Sequence, residues 1–254
     1  MEYRIEGDNL QILRINLGEG EEVYAEAGKM VYKTFNINME TKMLGEGLGG
    51  KLLGALKRKV AGESLFTTHF TSSKGVGEVG FAGEFPGRIE AIRVSEDRRF
   101  LAQRDAFICA EIGVDFSIAF QKKIGAGLFG GEGFILEKFG GNGLVFIHAG
   151  GDFVTFELEK GQGIQVDTGC IVGFDETVDY DVQFVGGIKT AIFGGEGLFL
   201  TTLKGPGKVI LQTLTLSKLR RELGTMSGRS GGEHHADVGG GLGSLVGSIF
   251  GSDD

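Results

Sequence analysis

The chain has 254 residues, of which 47 are glycine and two are proline, and it carries a formal net charge of −8. Glycines without a three-residue period, and with almost no proline, exclude a collagen-like rod. The acidic balance disfavours nonspecific binding to a polyanion, which needs a basic surface. No apolar run reaches the roughly 18 residues of a spanning helix, and no basic-then-apolar leader is evident, so a cytoplasmic protein is expected.

The first residues predict strands: Tyr3-Arg4-Ile5, a turn at Gly7-Asp8-Asn9, then Leu10 to Leu17. A polar turn at Gly18 to Glu21 leads into Val23 to Val31. Phe153 to Leu158, the turn Glu159 to Gln162, and Ile164 to Val172 align with this stretch without a gap, at one constant offset. A middle copy runs through Ile92-Arg93-Val94, the turn Ser95 to Arg98, and Phe100 to Ile108. Each copy ends in an alternating strand: Phe35 to Met39, Phe116 to Phe120, and Val178 to Phe184. Alternation at period two puts the apolar set on one face.

A second unit recurs as strand, tight turn, strand. Phe134 to Phe139 turns at Asn142-Gly143 into Leu144 to Ile147, and Leu198 to Leu200 turns at Pro206-Gly207 into Lys208 to Leu211. A third copy starts at Leu65-Phe66 and is read as turning at Pro86-Gly87 into Arg88-Ile89. Asn-Gly suits a two-residue hairpin, so each unit is expected to be a β-hairpin. The first copy carries extra residues around Ser72 to Gly75, read as an additional hairpin excursion. The chain thus starts with the second half of a module and ends with the first half of one. The two halves are expected to meet and close the array, leaving fewer open strand edges.

The insertion at about 43–61 places Leu48, Leu52, Leu53, Leu56 and Val60 at helical spacing. Lys51, Lys57 and Arg58 lie off that stripe, and Lys59 falls on it. Leu52, Leu53, Leu56, Lys57, Arg58 and Lys59 are therefore the candidate interaction residues. Three readings compete: packing on the sheet or a sister subunit, contact with an anionic membrane surface, and nucleic acid, which the net charge disfavours. Ser217 to Leu223 predicts one or two helical turns with Ser217 as N-cap. Residues 224–254 are Gly/Ser-rich and read as a flexible tail.

The Gly-Gly-Glu-Gly repeats at 130–133 and 194–197, the glycine- and leucine-rich insertion ending Ala61-Gly62-Glu63-Ser64-Leu65-Phe66, and the Phe85-Pro86-Gly87 turn resemble the mitochondrial-biogenesis family named for altered inheritance of mitochondria. That family belongs to the superfamily typified by the tryptophan RNA-binding attenuation protein. The resemblance spans about residues 2–223. It implies an all-β domain of three short double-stranded β-helix (TRAP-like) repeats with pseudo-threefold symmetry. It also implies that chains assemble as homotrimers, so that nine repeats form a ring. It implies no assigned activity.

Chemical motifs are weak. Gly45 to Gly50 and Gly125 to Gly130 match G-x-G-x-x-G but lack the strand–helix context of a dinucleotide site. Leu52 removes the hydroxyl a P-loop needs after Lys51. Of four histidines, His69 and His148 are isolated and His234-His235 sit in the tail, which leaves no metal or cofactor set. Cys109 and Cys170 read as reduced thiols of a cytosolic protein. The expectation is a non-enzymatic oligomeric scaffold or binding protein, without cofactor, that can lie peripheral to membranes. A ring-shaped small-ligand or RNA binder is the alternative, with a cupin-like metalloenzyme third.

Overall fold

The computed structural model describes residues 1–43, 66–122, 133–184 and 199–228. The first part of the chain forms β1 (Glu2–Glu6), β2 (Ile12–Leu17), β3 (Glu22–Glu26), β4 (Met30–Lys33) and β5 (Ile37–Met43). The next part forms β6 (Phe66–Ser72), β7 (Gly77–Ala82), β8 (Gly87–Val94), β9 (Phe100–Gln103), the 3-10 turn η1 (Arg104–Ala106), β10 (Phe107–Glu111) and β11 (Val114–Lys122). Then come β12 (Phe134–Gly141), β13 (Gly143–Gly150), β14 (Phe153–Leu158), β15 (Gly163–Asp167), the 3-10 turn η2 (Thr168–Cys170), β16 (Ile171–Asp175) and β17 (Asp179–Phe184). The last elements are β18 (Phe199–Lys204), β19 (Gly207–Gln212) and helix α1 (Leu216–Gly228). Contacts divide the chain into a unit of residues 1–219 and a unit of 220–254, of which only the helical stretch to Gly228 is described.

The protein is all-β with antiparallel sheets. Their strand orders are β1-β2-β7-β4, β5-β6-β3-β10-β13-β8, β11-β12-β9-β16-β19-β14 and β15-β18-β17. The second and third sheets correspond strand for strand: each strand of one is followed, six strands later in the chain, by its counterpart in the other. Under the same shift β17-β18-β15 takes the first three places of that order and β4-β7-β2 the last three, in two separate sheets.

Binary patterning explains the layers. In β2, Leu13, Ile15 and Leu17 are buried and the intervening residues are not. They pack with Val79 and Phe81 of β7 against Ile108, Cys109 and Phe146 of the second sheet. The second and third sheets share a core of Ile92, Val94, Phe107, Phe139, Val172 and Ile210. The third and fourth share Leu101, Leu136, Phe174, Val182 and Leu203. β12 lies inside the third sheet with both faces covered, so it reads as a nearly unbroken apolar run.

Three expectations need correction. The units around Asn142 and Pro206 are not hairpins. β12 pairs with β11 and β9, while β13 pairs with β10 and β8, so the tight turn carries the chain from one sheet to the next. The positive φ falls on Gly141, not on Asn142. Secondly, the counterpart of the Asn142 turn in the first copy is the turn between β6 and β7, not Pro86-Gly87. The supposed excursion at Ser72 to Gly75 is the regular connection. Finally, Ser217 lies inside α1. The cap is Thr215, whose Oγ1 accepts from the Lys218 N–H at 3.2 Å.

Closure within the chain is not formed. β4 pairs only with β7 and β15 only with β18 among the described residues.

Candidate assembly interface

The two complete joints between half-sheets define what a joint looks like. β3 meets β10 with Val23 opposite Glu111, Tyr24 opposite Ala110 and Ala25 opposite Cys109. β9 meets β16 with Phe100 opposite Asp175, Leu101 opposite Phe174 and Ala102 opposite Gly173. The register is identical once the copies are aligned. Aligned the same way, the corresponding residues are Ile164, Gln165 and Val166 of β15 and Thr34, Lys33 and Tyr32 of β4; these two strands do not pair with each other and each is an edge of its sheet.

Burial separates the occupied joints from the vacant one. β3 and β9 are buried through their centres, whereas β15 is exposed at Gly163 and Gln165. β10, β16 and β4 each carry a bulge at the same place, shown by register shifts between Phe107 and Cys109, Ile171 and Gly173, and Met30 and Tyr32. The bulged residues Ile108 and Val172 are buried, while Val31 is 56% exposed. On β14, Val154 and Phe156 are 38% and 36% exposed, although Leu13 and Ile15, their counterparts on β2, are fully buried. Phe35, in the turn after β4, is fully exposed. Apolar surface and open backbone groups therefore coincide at both ends of the array, the pattern expected of a surface awaiting a partner.

The outer face of the first sheet adds a polar network. Arg14 Nη2 donates to Glu78 Oε1 at 2.9 Å, and the Tyr32 hydroxyl donates to the same oxygen at 2.6 Å. Arg14 Nη1 reaches Glu6 at 3.3 Å. The Arg14 hydrogen bond, then that of Tyr32, hold the Glu78 carboxyl below its ordinary range. Gly80 lets the Tyr32 ring lie flat on β7, where a Cβ would collide with it. The face is thus fixed in shape and charged.

The sequence-derived residues Leu52, Leu53, Leu56, Lys57, Arg58 and Lys59 lie outside the described residues, as do both G-x-G-x-x-G matches and His234-His235. Cys109 is buried in β10 and Cys170 is half-buried at the end of η2; both thiols are free. Burial pushes the Cys109 thiol well up, so it is no nucleophile. His69 pairs with Glu22 and touches the Thr67 hydroxyl at 3.2 Å on the polar face of the second sheet. Among the described residues no three His, Cys, Asp or Glu side chains converge as metal ligands, and no helix is long and apolar enough to cross a membrane. The sequence reading names no edge strand as a candidate site and expects the two end half-modules to meet within one chain.

Antiparallel sheets stacked face to face, with β4 and β15 each paired on one side only among the described residues, define an all-β protein. Residues 3–214 match the mitochondrial biogenesis AIM24 family, and the chain belongs to that family. An uncharacterized protein of Streptococcus pyogenes is 33% identical over 224 residues, covering 85% of this chain and 88% of the relative. The X-ray crystal structure of a Streptococcus pyogenes protein superposes with a TM-score of 0.70 at 27% identity, covering 89% of this chain and 98% of that one.

Proposed function

We propose that this chain is a non-enzymatic, oligomeric scaffold or binding protein. Three TRAP-like β-repeats in each chain join head to tail with those of its neighbours in a homotrimeric ring of nine. In that ring β15 of one chain pairs with β4 of the next, and the next chain's β2-β7-β4 half-sheet covers Val154 and Phe156. The observation that carries the reading is the pair of open edges whose counterparts form ladders twice within the same chain. A head-to-tail contact must either close or grow into a filament, and a ring is the closed solution. The free thiols of Cys109 and Cys170 suit a reducing compartment, in keeping with a cytoplasmic protein.

Light scattering at micromolar concentration should give about three times the chain mass. A stable single-chain mass at that concentration overturns the reading.

A further inference from the structure

One place in the second repeat breaks the rule its copies follow. In the third repeat, Thr168 of η2 and Thr201 of β18 are buried and share a hydrogen bond between their hydroxyls at 2.9 Å. The same two places in the second repeat hold Arg104 of η1 and Glu137 of β12. Glu137 is 2% exposed, and its Oε2 accepts no hydrogen bond among the described residues. Glu26 Oε2, at the end of β3, is buried without a hydrogen bond and has only an ion-pair contact among the described residues. Lys29, 4% exposed, stands where Ala106 and Cys170 stand in the other repeats. Its Nζ lies 3.5 Å from Glu26 Oε2 and donates to Glu84 Oε1 at 3.0 Å. Arg104 Nε lies 3.7 Å from Glu26 Oε1.

A neutral pair fits this place, as the third repeat demonstrates. Burying carboxyl oxygens without donors is costly and needs a reason. We propose that Glu137 and Glu26, with Arg104 and Lys29, form a buried proton-binding site that controls the turn at 27–29 and the β4 edge that follows it. The charges acting on Glu137 are those of Glu26 from β3, Arg104 and Asp105 from η1, and Lys29 from the turn, and its own charge acts in turn on Tyr24 of β3. Its cross-strand neighbours, Ala102 and Ile118, are apolar. Glu26 faces Lys29, Arg104, Asp105 and Glu84, with Thr67 opposite it on β6.

Burial, reinforced by the charge of Glu26, pushes the Glu137 carboxyl well above its ordinary range, and burial also raises Glu26. The folded state therefore binds protons that the unfolded chain has released. The contribution of these two carboxyls to stability is fully present at or below the ordinary carboxyl range and falls as pH rises toward the native values. Losing the proton leaves a second buried negative charge acting on Glu26, and among the described residues the cations at hand are Lys29 and Arg104. Drawing Lys29 inward costs its contact with exposed Glu84 and shifts the turn, where Gly28 sits at φ +88. Met30, the next residue, opens β4.

The test is hydrogen exchange by mass spectrometry on the full chain, following residues 27–33 from pH 6 to 9 after correction for intrinsic rates. Wild type should open more as pH rises, by up to about tenfold per pH unit for one linked proton. Glu137→Gln, nearly isosteric, should abolish that dependence. The double variant Arg104→Thr with Glu137→Thr, which installs the third repeat's own pair, should do the same. If either folded variant keeps the wild-type pH response, the proton site is overturned.

The step from β4 to assembly rests on the ring reading, and light scattering on the same samples separates the two. A pH response lost in Glu137→Gln, with single-chain mass throughout, sustains the proton site and defeats the ring. A trimer whose exchange at 27–33 ignores pH does the reverse.

Discussion

Val31 and Ile108 occupy the same bulge in corresponding strands, yet Ile108 is fully buried and Val31 is more than half exposed. The difference is not chemical, since both are β-branched aliphatics. The first sheet packs over Ile108, whereas no described sheet covers Val31, and the ring proposed above would supply that cover from a neighbouring chain.

That relationship predicts how the contact fails. Val154→Glu with Phe156→Glu, at exposed positions on β14, should reduce the light-scattering mass to one chain. Exposed substitutions usually change fold stability by only about 0.5 kcal/mol. Circular dichroism should therefore show an unchanged sheet spectrum in the dissociated protein. A variant that keeps its oligomer would place the contact elsewhere.

Acid stability should depend on His148. Burial, then the charge of Lys29, lower its pKa to about 4, so it is neutral in the fold. An unfolded chain takes up that proton below about pH 6.5. The contribution is thus present at neutral pH and is lost as pH falls from 6.5 toward 4. Replacing His148 with Gln should flatten that part of a melting-temperature profile, while wild type falls steeply through it.

The layers were legible where alternation was clean. Leu13, Ile15 and Leu17 alternate with less buried residues, which marks a half-buried strand. What alternation cannot tell is which strand pairs with which. Asn142-Gly143 has the composition of a hairpin turn, but β12 and β13 are each paired on both sides by other strands. Glu137 was invisible for a related reason. Within Phe134 to Phe139 it looks like the polar residue of an amphipathic strand, and only the covering of both faces makes it buried.

Close approach at Gly87 should be intolerant of a methyl group. A Cβ there would run into the Ala149 carbonyl oxygen and the His148 ring. Gly87→Ala should lower stability by about 1–3 kcal/mol in a denaturant titration. A neutral effect would mean that β8 and β13 can separate at little expense.

The start of α1 hangs on one hydroxyl. Thr215→Ala removes the Oγ1 that accepts from the Lys218 N–H, a loss of about 1 kcal/mol for an N-cap. Ser217→Ala should cost less, because Ser217 is within the helix. Thermal melts of the two variants rank them directly, and the opposite order would return the cap to Ser217.

Head-to-tail pairing of β15 with β4 is tested most directly by placing cysteines at Lys33 and Gln165 in a Cys170→Ser background. Residues directly opposed across antiparallel strands have Cα atoms about 4.5–5.5 Å apart, within disulfide reach. A chain bearing only Lys33→Cys, co-expressed with one bearing only Gln165→Cys, should oxidise to a product of two chain masses on a nonreducing gel. The double variant should give products of two and three chain masses. No cross-link in the co-expressed pair, or a double variant that bridges only within a single chain mass, would contradict the account.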